Sequence, residues 1–411
     1  MSGLSKDGSS RGGLPKGGLS KERLERLHRV LAGHVERGGV PGLVAVVARD
    51  GDEHVEVLGG HTTAGGPPMR RDTIFRIASM TKPVTAVSAL TLVEECVLRL
   101  DDPLDDLLPE LAGRRVLRRP DATLDDTVPA VRPISLRDLL TFRLGYGLTM
   151  IPPTAPIAAA MAERGVNVLP PRADYPDPDE FLRRLGELPL LHQPGAGWHY
   201  HTGSVVLGIL LARACGKPLG DVLRERVLGP LGMRDTGFTV PAGQLHRLPV
   251  EYWNDPARGI LVYDDPADSA WARPAALDDG GADLVSTVDD YLAFARMLLD
   301  GGSHDGVRIL SRPTVELMTT NQLTPAQLAA SAPLLGRDAL TGWGFGLSVT
   351  TTRDGLPAPG RYGWDGGLGT TWFNDPVERL TGILLTQRMF DSATPPAVVR
   401  DFEVLAYQAV A

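Results

Sequence analysis

The sequence predicts an α+β fold in which both chain ends contribute strands to one antiparallel sheet and a large helical lobe is carried between them. Three observations predict it. Two β-type runs stand near the start, at 44–48 and 54–58, around the hairpin chemistry of Arg49-Asp50-Gly51-Asp52. Strand-like segments return only late, at 344–351, 370–374 and 380–387. Between the two sets the apolar spacing is that of helices. At 411 residues the chain exceeds one small core, so two lobes or one large enzyme domain are expected. The division reads as a tail over 1–18, a sheet lobe from 19–78 and 335–411, and a mainly helical lobe over 79–334.

Residues 1–18 are rich in Gly, Ser and Lys without an apolar core, so they read as a flexible tail and not a secretory signal. Over 19–37, Leu24, Leu27, Val30 and Leu31 form a helical stripe, with Ser20 as cap and Gly38-Gly39 as stop. The hairpin follows, then a long helix over 79–98. Further helical patterns lie at 135–142, 179–188, 202–215, 219–228, 287–299 and 312–319, and a last one at 396–408. The stretch 148–178 carries prolines at 152, 153, 156, 170, 171, 176 and 178, which forbid a long regular element. It reads either as a wall or lid of a site or as a passive surface insertion.

Composition bounds the function. With 43% hydrophobic and 22% charged residues the chain is ordinary for a globular protein. A net charge of −8 argues against nucleic acid or an anionic membrane surface as partner. Cys96 and Cys215 make neither a disulfide framework nor a zinc set, and each lies in an apolar helical pattern expected in the core. No apolar run is long enough to span a bilayer. A cytoplasmic enzyme acting on a small molecule is the expectation, with the oligomeric state left open.

The stretch that carries chemistry is Ser79-Met80-Thr81-Lys82. A helix places residues i and i+3 on one face, so this hydroxyl and amine can meet if a helix begins here. Pro83 is tolerated only in a first turn, which puts that beginning near Ser79, at the positive end of the helix dipole. A Lys activates a Ser only if burial or a nearby charge lowers its pKa. Only five of the 42 basic residues are Lys, the rest being Arg, which cannot lose its proton. An isolated Ser-x-x-Lys also marks many ordinary helix starts, so partners decide the reading.

Two further motifs offer partners. In Tyr200-His201-Thr202, a tyrosine in a turn before a helix can aim its hydroxyl into a cleft and relay protons, as a phenol or a phenolate. It can equally be a half-buried Tyr at a lobe boundary. His199 and His201 lack a third ligand at metal spacing, so no metal is expected. In Trp364-Asp365-Gly366-Gly367-Leu368-Gly369-Thr370-Thr371-Trp372-Phe373, glycines at a strand edge let a substrate reach the backbone, and the Gly367 N–H could pair with that of Ser79 as an oxyanion hole. Alone, it reads as a Gly-rich hairpin.

In this order the three motifs resemble the serine hydrolases of the class C β-lactamase family, with the penicillin-binding-protein/transpeptidase-like fold, and within it the family VIII carboxylesterases. The likeness runs along most of the chain from about Val40 and takes in 134–141, 229–233 and 280–287. It implies Ser79 as acylated nucleophile, Lys82 as its activating partner, Tyr200 as second acid/base group, and the Ser79 and Gly367 N–H groups as oxyanion hole. It implies Thr202, Trp364, Asp365 and Gly366 against the substrate, and no cofactor. The order of proton transfer between Lys82 and Tyr200 stays open at this level.

Two departures bear on substrate. Where β-lactamases of this class have Tyr-x-Asn, this chain has Thr202, whose hydroxyl cannot replace both the donor and the acceptor of an amide. Where they have Lys-Thr-Gly, it has Trp364-Asp365-Gly366, which loses a cation for a substrate carboxylate and adds a carboxylate that repels one. Ester hydrolysis on small neutral or apolar acyl groups is therefore expected to lead. An acyltransferase using the same acyl-enzyme, a weak β-lactamase or D-amino-acid peptidase, and a non-catalytic binding module are the alternatives.

Overall fold

The computed structural model describes residues 18–148, 154–166, 172–335 and 340–411. Helix α1 (Lys21–Glu36) is followed by β1 (Gly42–Arg49) and β2 (Asp52–Thr62), paired antiparallel. Asp50 and Gly51 both take positive φ in the turn between them, as a two-residue Asp-Gly hairpin requires. After the edge strand β3 (Gly65–Pro68), β4 (Phe75–Arg76) leads through one tight turn over Ala78–Met80 into α2 (Thr81–Glu94).

The central segment is mainly helical. A small hairpin, β5 (Arg115–Leu117) and β6 (Thr127–Pro129), precedes α3 (Leu136–Leu140), α4 (Pro156–Glu163), α5 (Pro178–Gly186), α6 (Thr202–Cys215) and α7 (Leu219–Leu223). The boundaries have local causes: a Ser135–Asp138 capping box opens α3, Asp177 caps α5, and Gly216 in the left-handed region closes α6. Then come the hairpin β7 (Glu251–Asp255) and β8 (Gly259–Asp264), β9 (Val285–Ser286) paired with β4, and α8 (Val288–Leu299) capped by Thr287. The hairpin β10 (Ser303–His304) and β11 (Val307–Arg308), then α9 (Arg312–Met318) and α10 (Pro325–Leu335), complete this segment. The chain ends with β12 (Thr341–Trp343), β13 (Ser348–Thr350), β14 (Tyr362–Gly366), β15 (Thr370–Asp375), β16 (Leu380–Thr386) and α11 (Ala397–Gln408).

The main sheet has eight antiparallel strands in the order β12-β13-β14-β15-β16-β1-β2-β3, so both chain ends build it, as expected. The β1–β16 pairing joins the two halves, with Val44 opposite Leu385 and Val46 opposite Ile383. β1 is covered on both faces: Val44, Val46 and Ala48 enter the main core, while Leu43, Ala45 and Val47 pack with Leu27, Leu31 and Phe402 of α1 and α11. That double burial explains its continuous apolar run in place of an alternation.

Several expectations are corrected. The helix expected over 79–98 ends at Glu94, and the chain turns at Cys96, which has φ +59° and is exposed instead of lying in the core. Cys215, at the end of α6, is only partly buried. Of the single strand expected over 344–351 only β13 forms; 344–347 are the turn that joins it to β12, and this turn includes Gly346 at φ +72°. A Cβ on Gly346 would stand 3.0 Å from the Lys82 carbonyl oxygen, so this turn rests on the start of α2. Within the proline-rich stretch, α4 spans eight residues and begins at Pro156, where a proline fits the first turn. Residues 149–153 and 167–171 of that stretch, and 1–17 of the tail, lie outside the described residues. The β7–β8 hairpin and α10 were not legible from pattern.

Candidate active site

Ala78 takes φ +43°, in the left-handed region, and the tight turn it opens delivers Ser79 to the head of α2. Lys82, one turn on, lies 2.9 Å from the Ser79 Oγ by its Nζ. The same Nζ donates to the Gly281 carbonyl oxygen at 2.7 Å and lies 3.2 Å from His201 Nδ1. Lys82 is only 1% exposed. Burial pulls its ammonium down to about 7, against the opposing attraction of the Asp279 carboxylate.

Tyr200 reaches Ser79 from the other side. Reciprocal backbone bonds at 3.0 Å between Leu148 and Tyr200 fix the turn before α6, and the Tyr200 hydroxyl lies 2.9 Å from Ser79 Oγ. Trp364 Nε1 donates to that hydroxyl at 2.8 Å. Burial pushes the phenol well above its ordinary value, with the Ser79 and Trp364 hydrogen bonds opposing, so the resting group is the neutral phenol and not a phenolate. An aromatic cluster backs the pair: Trp343 meets Trp364 edge-on at 4.7 Å, and Phe142 meets the Tyr200 ring edge-on at 5.6 Å.

Ser79 opens onto a cavity of about 410 Å³ that Tyr200, Trp364, Asp365 and Gly367 also border. Ala78, Leu148, Leu368, Met389, Phe390 and Ala393 supply its apolar wall. Among the described residues lining it, Asp365 is the one charged side chain. Asp365 accepts from Thr371 Oγ1 at 2.5 Å across the β14–β15 ladder. Gly367 is held by Phe390, whose N–H donates to its carbonyl at 2.8 Å, and a Cβ built on Gly367 meets no protein atom. Gly367→Val is therefore expected to leave the Tm unchanged within about 2 °C while lowering turnover by roughly tenfold, because the new side chain enters the cavity and not the core.

The structure thus brings Ser79, Lys82, Tyr200, Trp364, Asp365 and Gly367 together. It does not bring Thr202 or Gly366 to the cavity. Thr202 is 2% exposed in the first turn of α6. Gly366 abuts the strand–turn junction ahead of Ser79, where a Cβ would come within 2.3 Å of the Ile77 carbonyl oxygen. Gly366→Ala should accordingly destabilise the fold by about 1–3 kcal/mol in a denaturation series.

Three neighbours of Lys82 were missed as site residues: His201, Asp279 and Gly281. His201 stands within the Tyr200 motif, where the sequence alone suggests only a metal ligand. Asp279 precedes and Gly281 belongs to the Gly280-Gly281 pair, whose carbonyls fold onto Thr85 and Lys82 of α2 across a long sequence separation. Among the described residues no group of three or more His, Cys, Asp or Glu could hold a metal. His192 Nδ1 and His199 Nε2 lie 2.9 Å apart, and burial pulls His199 down to about 3, so that ring is neutral.

The family model described as Beta-lactamase matches residues 27–404. An uncharacterized protein of Mycobacterium tuberculosis is 38% identical over 373 residues, covering 88% of this chain and 89% of that one. Esterase EstB of Burkholderia gladioli is 31% identical over 400 residues, covering 91% and 93%. Among solved structures, EstCE1, a hydrolase with promiscuous acyltransferase activity, superposes with a TM-score of 0.75 at 25% identity, covering 95% of this chain and 98% of that one. No helix among the described residues is long and apolar enough to cross a membrane. With the family model matched over most of its length, the chain belongs to the Beta-lactamase family of serine hydrolases.

Proposed function

We propose that the protein is a carboxylesterase that forms an acyl-enzyme on Ser79 from esters of small neutral or apolar acids. The observation that carries this is the placement of Ser79 Oγ at 2.9 Å from both Lys82 Nζ and the Tyr200 hydroxyl, at an apolar cavity. Neutral Lys82 takes the Ser79 proton as Oγ attacks the ester carbonyl, and the developing oxyanion lies between the Ser79 and Gly367 N–H groups. Tyr200, a neutral donor at rest, gives its proton to the departing alkoxide and is reprotonated from Lys82. Water then attacks the acyl-enzyme by the same steps in reverse.

The lowered pKa of Lys82 and the raised one of Tyr200 favour Lys82 as first base. Activity needs the neutral amine, so kcat/KM should rise with pH and level off through an apparent pKa of about 7. A pH–rate profile between about pH 5 and 9 checks it, and a flat profile would contradict Lys82 as base. Among the described residues lining the cavity no Lys or Arg stands ready for a substrate carboxylate, which leaves β-lactam turnover weak.

Acyl transfer to an alcohol in place of water is the second reading, favoured by the apolar wall of Leu148, Met389 and Phe390 beside Ser79 and by the likeness to EstCE1. Hydrolysis of a series of p-nitrophenyl esters by wild type and Ser79→Ala, with products analysed in the presence of a small alcohol, tests both. Free acid as the main product supports the esterase and a new ester the transferase. Equal rates for wild type and Ser79→Ala would refute both.

A further inference from the structure

Lys82 can act as a base toward Ser79 only if its lone pair points there, and the residues that settle its direction lie outside the catalytic set already described. A neutral primary amine carries two hydrogens and one lone pair. Three polar atoms surround Lys82 Nζ: Gly281 O at 2.7 Å, Ser79 Oγ at 2.9 Å and His201 Nδ1 at 3.2 Å. The carbonyl can only accept. If His201 Nδ1 also accepts, both hydrogens are taken and the lone pair is left for the Ser79 hydroxyl. If Nδ1 carries a hydrogen, the ring donates to Lys82 and draws the lone pair away.

Asp279 stands where it can decide between these states. Its Oδ2 lies 3.3 Å from His201 Nε2, and its Oδ1 accepts from the Gly281 N–H at 2.7 Å, so one carboxylate faces the imidazole and holds the peptide whose carbonyl receives Lys82. Asp279 is 1% exposed. Burial pushes its carboxyl up, but His201 and Lys82 outweigh this and hold it below its ordinary value, so it remains an acceptor. A carboxylate facing Nε2 favours the hydrogen there and leaves Nδ1 bare. His201 meets this pair with its backbone at φ +77°, ψ −60°, a conformation that costs a non-glycine residue energy and persists only where the surroundings impose it.

We propose that Asp279 and His201 are positioning residues that aim the Lys82 lone pair at Ser79, Asp279 by fixing the imidazole tautomer and His201 by accepting one amine hydrogen. This rests on Lys82 acting as the base toward Ser79. The ionisable groups facing His201 are Lys82 of α2, Asp279 of the loop before β9, and its chain neighbour Tyr200, whose ring centroid is 6.2 Å away. The first turn of α6 adds no acidic group. Asp283, behind Asp279, is pushed up by burial and by the Asp279 charge, against the opposing pull of Arg172, whose Nε lies 3.3 Å away.

Nitrogen NMR of the histidine-labelled full-length protein reads the tautomer without any variant in the measured sample, the His201 signal being identified by its loss in His201→Asn. The expected result is a hydrogen on Nε2 and a bare Nδ1 at about pH 8; a hydrogen on Nδ1, or an imidazolium at that pH, would overturn the proposal. First-turnover acylation by p-nitrophenyl butyrate supplies the kinetic arm. Asp279→Asn keeps an acceptor for the Gly281 N–H but turns an amide donor toward Nε2. It should lower the plateau by about 100-fold and move the acid limb to lower pH, since a negative charge near Lys82 is gone. A wild-type plateau and limb would overturn it. His201→Asn, which restores an acceptor, should lose about tenfold, and His201→Leu about 100-fold. Equal losses in these two folded variants would count against it. Ser79→Ala separates the underlying reading: turnover surviving in that variant refutes the nucleophile, whereas the tautomer result bears on His201 and Asp279 alone.

Discussion

Lys82→Arg is expected to yield a folded protein whose ester hydrolysis is at least about 1,000-fold below wild type. The two side chains share length class and charge, so a role in packing or in simple charge attraction would survive the exchange. A role in proton transfer would not, because a guanidinium stays protonated at any working pH whereas Lys82 is pulled down to about 7 by burial. The larger head in a site 1% exposed should cost about 1–3 kcal/mol through overpacking, which leaves the native state populated. Steady-state kinetics beside a thermal melt give both readouts, and an active Arg variant would remove Lys82 from the proton path.

Tyr200→Phe is the second large effect, with an expected loss of about 100- to 1,000-fold in kcat and little change in the acid limb set by Lys82. The hydroxyl it deletes lies 2.9 Å from Ser79 Oγ and accepts from Trp364 Nε1 at 2.8 Å. Its removal also strands a buried indole N–H, a cost of about 1–3 kcal/mol in stability. Trp364→Phe alone should lose roughly tenfold, and should add nothing further in the Tyr200→Phe background, because the indole acts on chemistry through that hydroxyl. Additive losses in the double variant would mean that Trp364 contacts the substrate independently.

Four central strands of the sheet were legible because β1, β2, β15 and β16 carry β-type runs, and the Asp-Gly turn fixes the first hairpin, whereas the edge strands β3 and β12 carry no such run. The connections were less so. Gly346 at φ +72° cuts the strand-like run over 344–351 short, leaving only β13 as strand, since the chain bends there to rest on the carbonyl of Lys82. Cys96 sits in an apolar helical pattern, yet the helix has already ended and a left-handed turn exposes it.

The site divides in the same way. Ser79 and Lys82 share a local spacing, and Tyr200 and the Trp364 glycine strand each carry a local signature, so these could be read along the chain. His201 and Asp279 could not: His201 meets Lys82 from 119 residues away, and Asp279 meets His201 and the Gly281 N–H, through contacts that folding alone creates. Thr202 and Gly366 stand next to motif residues in sequence but not among the described residues that line the cavity: Thr202 is buried in the first turn of α6, and Gly366 packs against Ile77.

The central claim is that Ser79 becomes acylated, and mass spectrometry of the intact protein after brief exposure to an activated short-chain ester or a fluorophosphonate tests it most directly. One adduct per chain, mapped to Ser79 after digestion and absent in Ser79→Ala, is the predicted result. An adduct on another residue, or none with a protein that still hydrolyses the ester, would contradict it.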